Sequence, residues 1–88
     1  MDEQLSEIMD ISQEECAEII QAISKIRRFG LKTEHNGVTN QAHLEEEVGD
    51  FLCMVELLIE KEILDQVALL EAAKRKRAKL AQWSRIKV

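Results

Sequence analysis

Apolar residues recur along most of the 88-residue chain at intervals of three or four, the spacing typical of amphipathic helices. The first such stretch predicts a helix from about Glu3 to Phe29. It would end at Gly30, because glycine readily takes the backbone conformation that terminates a helix. Residues 30–39 are polar, contain two glycines and show no period, so they are predicted to form the one substantial loop.

The same periodicity returns after the loop and predicts two further helices. The second runs over about residues 41–61, with Asn40 as its candidate N-cap. A break near Leu64 and Asp65 separates it from a third helix, which ends around Trp83. Together these stretches predict an all-α protomer that consists of a helical hairpin plus a third helix.

The composition supports a helical fold and a single domain, residues 1–88. The chain has no proline and only three aromatic residues, whereas good helix formers dominate. The longest apolar run, Phe51–Val55, is far too short to span a bilayer, and the acidic first residues are unlike a signal peptide, so a cytoplasmic protein is expected. Cys16 and Cys53 stand far apart and form neither a zinc-ligand pattern nor a disulfide framework.

The net charge of −5 conceals a strong asymmetry along the chain. Residues 1–71 carry 17 acidic and 5 basic residues, whereas residues 72–88 carry 7 basic residues and no acidic one. The acidic body would repel nucleic acid phosphates. The basic tail could bind a nucleic acid, or it could complement a helix C-terminus or the acidic face of another protomer.

Four carboxylates lie on or beside the apolar faces of the first two helices, when these are wound at about 100° per residue. In the first helix, Glu15 falls near the centre of the apolar face and Glu18 at its edge. In the second helix, Glu47 points into the apolar face and Asp50 lies at its border. Residues three apart share one side of a helix, so two facing helices would bring both pairs to a common point.

A buried carboxylate without a partner is costly, so these positions predict a counter-charge. Few cationic side chains are available on the apolar faces, and four oxygen ligands favour Mg²⁺ or Mn²⁺ over zinc. A di-iron site would require Glu-x-x-His motifs, which neither histidine supplies. The residues therefore predict a divalent cation site of the magnesium type.

The order of these acids resembles a known signature. The segment 14–18 (EECAE), followed after 28 residues by 47–50 (EVGD), is similar to the EExxE…ExxD motifs of the MazG-like all-α nucleoside triphosphate pyrophosphohydrolases. Residues 19–30 resemble the short phage-type members in particular. The resemblance implies Mg²⁺-dependent cleavage of a nucleoside triphosphate between its α- and β-phosphates. It also implies a dimer or a dimer of dimers, and a metal site formed by Glu15, Glu18, Glu47 and Asp50.

Three further residues are candidates for substrate contacts, each with an alternative. Lys25 lies on the same edge of the first helix as Glu18 and could reach a phosphate or be solvated. Lys76 falls within the apolar face of the third helix, where it could contact a phosphate or pair with an acid of a neighbouring helix. Trp83 could stack on a base or belong to the core or an interface. His35 and His43 are assigned no role.

Two functions remain open at this point. In the first, the chain hydrolyses a (deoxy)nucleoside triphosphate to the monophosphate and pyrophosphate with Mg²⁺. The protomers would associate to complete a four-helix-bundle core, because three wide apolar faces exceed what one chain can cover. In the second, the chain is a non-catalytic interaction or regulatory module that uses its basic tail. The placement of Glu15 and Glu47 within apolar faces favours the hydrolase.

Overall fold

The computed structural model describes all residues, 1–88, and contains three helices with a small β-hairpin between the first two. The elements in chain order are α1 (Glu3–Phe29), β1 (Glu34–His35), β2 (Val38–Thr39), α2 (Asn40–Glu60) and α3 (Gln66–Trp83). All three predicted helices are therefore confirmed. None of them is long and apolar enough to cross a membrane.

Both ends of α1 are stabilised by their own neighbouring residues. The Asp2 carboxylate accepts a hydrogen bond from the backbone N–H of Leu5 at 2.7 Å, which satisfies one of the free donors of the first turn. At the other end Gly30 has a positive φ, and its N–H donates to the carbonyl of Ile26 at 2.8 Å. Between these caps α1 continues for 27 residues, or about 40 Å.

The segment predicted as an irregular loop contains a tight antiparallel hairpin, in which Glu34 pairs with Thr39 and His35 pairs with Val38. The hairpin turns at Asn36 and Gly37, which both have positive φ. Asn-Gly is the residue pair that such two-residue turns prefer, because both positions need a left-handed backbone conformation. The hairpin places the start of α2 directly beside the end of α1.

The prediction that Asn40 caps α2 is wrong by one residue. Thr39 is the N-cap, and its hydroxyl accepts a hydrogen bond from the N–H of Ala42 at 3.1 Å. Asn40 is instead the first residue of the helix and is buried. Its side-chain Nδ2 donates to the carbonyl of Gly30 at 3.0 Å, and its backbone N–H donates to the carbonyl of Thr33. Asn40 therefore ties α2 to the end of α1.

The helices α1 and α2 pack as an antiparallel pair, and the apolar core lies at the end remote from the β-hairpin. Its buried members are Ile8 of α1 and Met54 and Leu58 of α2. Partly buried apolar residues surround them: Leu5, Met9, Ile11, Leu57 and Leu64. At the same end, the Lys61 ammonium donates a hydrogen bond to the Gln4 side chain.

The third helix contributes nothing to this core, since no residue of α3 is buried. The molecule measures 41 × 37 × 14 Å, and α3 makes no extensive contact with α1 or α2, so it does not pack against that pair. Apolar side chains consequently stay exposed on α3, including Val67, Leu70 and Trp83, and on the outer side of the α1–α2 pair, including Ile20 and Leu52. One chain alone does not form the predicted four-helix core.

Candidate metal centre

Three of the four predicted carboxylates meet between α1 and α2. Glu15, Glu18 and Glu47 each contribute a carboxylate oxygen, and these three oxygens lie within 4.8 Å of one another. Glu47 is buried, Glu15 is half-buried and Glu18 is exposed. Because Glu15 and Glu18 are almost one helical turn apart, α1 presents both to the facing side chain on α2. The cluster therefore has one buried end and one end open to solvent.

Two oxygens of this cluster are buried and lack a hydrogen-bond partner. They are Oε2 of Glu15 and Oε2 of Glu47, and no other buried side-chain oxygen or nitrogen in the chain is left unpaired. A buried unpaired carboxylate oxygen is unfavourable, and native structures rarely retain one without a reason such as an ion. The three carboxylates offer hard oxygen ligands to a cation on the scale of Mg²⁺ or Mn²⁺. The donor set and the unpaired oxygens therefore fit a divalent cation.

The electrostatics of the cluster point in the same direction. Burial raises the pKa of the Glu15 carboxyl, and the charges of Glu18, Asp50 and Glu14 raise it further. The Glu18 carboxylate lies close enough to share a proton with Glu47 and so raises the pKa of Glu47, and burial adds to this effect. Both shifts express the unfavourable concentration of negative charge. A bound cation would remove that penalty.

The fourth predicted residue, Asp50, lies at the margin of the site. It is exposed and does not belong to the group whose oxygens lie within 4.8 Å of one another. Its negative charge nevertheless raises the pKa of both Glu15 and Glu47, so its carboxylate acts on the same space. The structure thus brings together three of the four carboxylates and leaves Asp50 beside them.

The sequence analysis assigned no role to His43, but in the structure its imidazole contacts a carboxylate of the cluster. His43 Nε2 lies 3.1 Å from Oε1 of Glu47, one helical turn away in α2. This is the only pairing of a basic with an acidic side chain in the chain, and it involves the buried member of the carboxylate cluster. The positive charge that His43 carries when protonated lowers the pKa of Glu47 and so opposes the larger effects that raise it. The spacing of four residues between the two was the available signal.

A cavity of about 230 Å³ adjoins the cluster where the β-hairpin meets α1 and α2. Its lining is polar except for Val38 and consists of Lys25, His35, Asn36, Asn40, His43 and Glu46. His43 contacts Glu47 and also lines this cavity, so it connects the cavity with the carboxylate cluster. Lys25 thus lines the same cavity as His43.

Lys76 and Trp83 lie elsewhere in the chain. Both belong to α3, which shares no extensive contact with α1 or α2, and both are exposed. Trp83 is 78 % exposed, so it is not part of a core within one chain. The fold of a single chain does not bring either residue to the carboxylates.

These features define a helical domain with a partly buried cluster of three glutamates between its first two helices. The family model that matches this chain is the MazG nucleotide pyrophosphohydrolase domain, over residues 3–84. The match includes all three helices and the β-hairpin, and the chain belongs to this family. A search of curated proteins and a search of solved structures each found no match.

Proposed function

We propose that the chain, acting as one domain, hydrolyses a canonical or modified (deoxy)nucleoside triphosphate to a nucleoside monophosphate and pyrophosphate. The observation that carries this proposal is the cluster of Glu15, Glu18 and Glu47 with its two buried, unpartnered oxygens, in a chain of the MazG family. An interaction helix has no need for such a cluster. The alternative, a regulatory module, leaves the cost of these buried acids without compensation.

In this proposal Glu15, Glu18, Glu47 and Asp50 hold Mg²⁺, with Mn²⁺ as a substitute. Their ligand atoms are all oxygens, and neither a cysteine nor a histidine belongs to the group within 4.8 Å. Such donors suit hard cations better than zinc. When bound, Mg²⁺ would neutralise phosphate oxygens that the acidic cluster otherwise repels, and would increase the acidity of a bound water.

The protein supplies orientation and a proton acceptor to the reaction. A water molecule attacks the triphosphate, the bond between the α- and β-phosphates breaks, and pyrophosphate leaves. A carboxylate of the cluster accepts the proton of the attacking water. No side chain with a positioned base is available for a covalent intermediate, because both cysteines are exposed and neither makes a hydrogen bond to a base.

Substrate contacts in this proposal come from two places. Lys25 lines the cavity beside the carboxylates, where an ammonium group can bind phosphate oxygens of the same substrate. Lys76 and Trp83 belong to α3 and would reach the site of a second protomer. The basic residues of α3 match the acidic α1–α2 pair in charge, which favours an association of this kind.

Association of protomers also covers the exposed apolar faces. One chain leaves Ile20 68 %, Leu52 54 % and Leu70 64 % exposed. Monomeric proteins usually expose large apolar side chains singly, whereas this chain exposes several of them on each of its helices. We propose that two chains pack face to face, as a dimer or a dimer of dimers, and thereby complete a four-helix core.

The function is tested with a panel of ribo- and deoxynucleoside triphosphates in Mg²⁺, with separate measurement of pyrophosphate and orthophosphate. We expect pyrophosphate and the monophosphate in equal amounts from at least one substrate. Glu47→Gln should abolish turnover, whereas Glu56→Gln, an exposed residue on the far side of α2, should retain it. Release of orthophosphate alone would indicate another cleavage position. No turnover with either Mg²⁺ or Mn²⁺ would favour the interaction module.

A further inference from the structure

We infer that His43 is a positioning residue for the cation site: its imidazole binds one carboxylate oxygen of Glu47 and thereby keeps the other directed at the cation. The inference rests on the proposed metal site and extends it to a residue outside the ligand set. Histidine at this position acts as a hydrogen-bond donor, and it does not itself coordinate the ion.

The first support is the selectivity of the contact. His43 Nε2 lies 3.1 Å from Oε1 of Glu47, within hydrogen-bond distance for an N–H that donates to a carboxylate. None of the side-chain hydrogen bonds of the chain is donated to Glu15, Glu18, Glu47 or Asp50, and His43 is the one basic side chain in contact with them. The one donor in the site therefore acts on its most buried carboxylate.

The second support is that the two carboxylate oxygens of Glu47 have different surroundings. Oε1 is taken by His43, whereas Oε2 is buried and has no partner. The Glu47 side chain is only 10 % exposed, so it has little room to adopt another conformation. Repulsion from Glu18 would rotate or displace this carboxylate if nothing held it. In this inference the contact with His43 holds the plane of the carboxylate and leaves Oε2 free for a cation.

The third support is that His43 is itself held in place. It lies in the first turn of α2, whose start is fixed by the Thr39 cap and by the Asn40 side chain on the Gly30 carbonyl. His43 also lines the wall of the cavity next to Lys25, with its side chain 36 % exposed. Because the start of α2 is held in this way, His43 is in a position to orient Glu47, one turn further along the helix.

The test compares two substitutions that match in length and helix propensity. His43→Gln keeps an N–H donor, which can reach a residue one turn on, whereas His43→Met removes it. Binding of Mn²⁺ to the purified full chain is measured by electron paramagnetic resonance. Loss of a residue that orients a metal ligand typically weakens metal binding by about 10–100-fold, so we expect this for His43→Met. His43→Gln should restore most of the affinity, and His35→Ala should leave it unchanged.

The outcomes separate this inference from the proposed function. Wild-type affinity in His43→Met would overturn the inference, and so would an equal loss in both variants, because that result would indicate a role for charge or ring packing. Circular dichroism in chelator shows whether both variants keep the helical content of the wild type; unfolding of His43→Met alone would show a structural role and overturn the inference. Mn²⁺ binding without turnover by the wild type would refute the hydrolase and leave the role of His43 standing. A wild type that binds no Mn²⁺ would refute both.

Discussion

Replacing Glu47 by glutamine tests separately how the charge of Glu47 affects metal binding and how it affects the stability of the metal-free protein. The substitution keeps the shape of a buried side chain and removes one negative charge beside Glu15 and Glu18. The new amide can still accept a hydrogen bond from His43, and its NH₂ group can donate to a neighbouring carboxylate. In chelator we therefore expect Glu47→Gln to melt at or above the temperature of the wild type.

The expected effect of the cation follows from binding linkage. At a hundredfold excess over its Kd, a ligand that binds only the folded state stabilises it by about 2.7 kcal/mol. For a domain of this size each kcal/mol shifts the melting temperature by about 4–8 °C, so saturating Mg²⁺ should raise the melting temperature of the wild type by roughly 10–20 °C. The variant should lose most of this increase, because the best-buried ligand oxygen of the site is gone.

The assay is thermal melting followed by circular dichroism, first in chelator and then across a titration with Mg²⁺. Glu56→Gln is the matched control, since it removes a charge from an exposed position of the same helix. Two results would refute the reasoning. If Glu47→Gln melted several degrees below the wild type in chelator while the control did not, the carboxylates would not repel one another as argued. If it kept the full increase with Mg²⁺, Glu47 would not be a ligand.

Two further predictions follow from the same structure. The pKa values of Glu15 and Glu47 are raised above their ordinary value of 4.5, so the metal-free folded state binds more protons than the unfolded state above that pH. The melting temperature in chelator should therefore fall as the pH rises from about 4.5 towards neutrality. This dependence of melting temperature on pH should be weaker in the double variant Glu15→Gln/Glu47→Gln. An equal dependence in the wild type and the variant would contradict the repulsion among the clustered carboxylates. Sedimentation at micromolar concentration should show at least a dimer, and Leu70→Glu should weaken it; a compact wild-type monomer would contradict the proposed association.

Local signals predicted the helices well. The start and end of α1 depend on residues that act on their immediate neighbours, such as Asp2 and Gly30, and these are visible in a linear sequence. The inward direction of Glu47 followed from helical periodicity alone, and its burial in the structure confirms that prediction. Features that depend on the spacing of residues along one helix were therefore predictable from the sequence.

The features that the sequence analysis missed depend on contacts across elements or on competition between neighbours. Thr39 and Asn40 are both good N-cap residues, and the carbonyl of Gly30, ten residues away, engages the Asn40 side chain, which leaves Thr39 as the cap. The Asn36-Gly37 hairpin carried a recognisable signal, but its strands of two residues are too short to show an alternating pattern. The contact between His43 and Glu47 depends on which way Glu47 turns its carboxylate, which the sequence does not show.

The position of α3 could not be obtained from its sequence for a different reason. Its apolar residues predict a face that is covered, but the pattern does not say by which surface. Within one chain that face remains open, as the 78 % exposure of Trp83 shows. Periodicity identifies a face that packs, whereas the choice between an intramolecular and an intermolecular partner depends on geometry that the pattern does not contain.

The thin core of one chain would link the folding of this protein to its abundance if two chains pack as proposed. With six of 88 residues buried, one chain keeps little apolar surface away from water, so most of the stabilising burial would come from a second copy. In such a protein the folded fraction rises with total concentration by mass action. If a cell made less of the chain, the amount of folded protein would then fall more steeply than the amount synthesised. The expression level would thereby set the activity without any dedicated regulator.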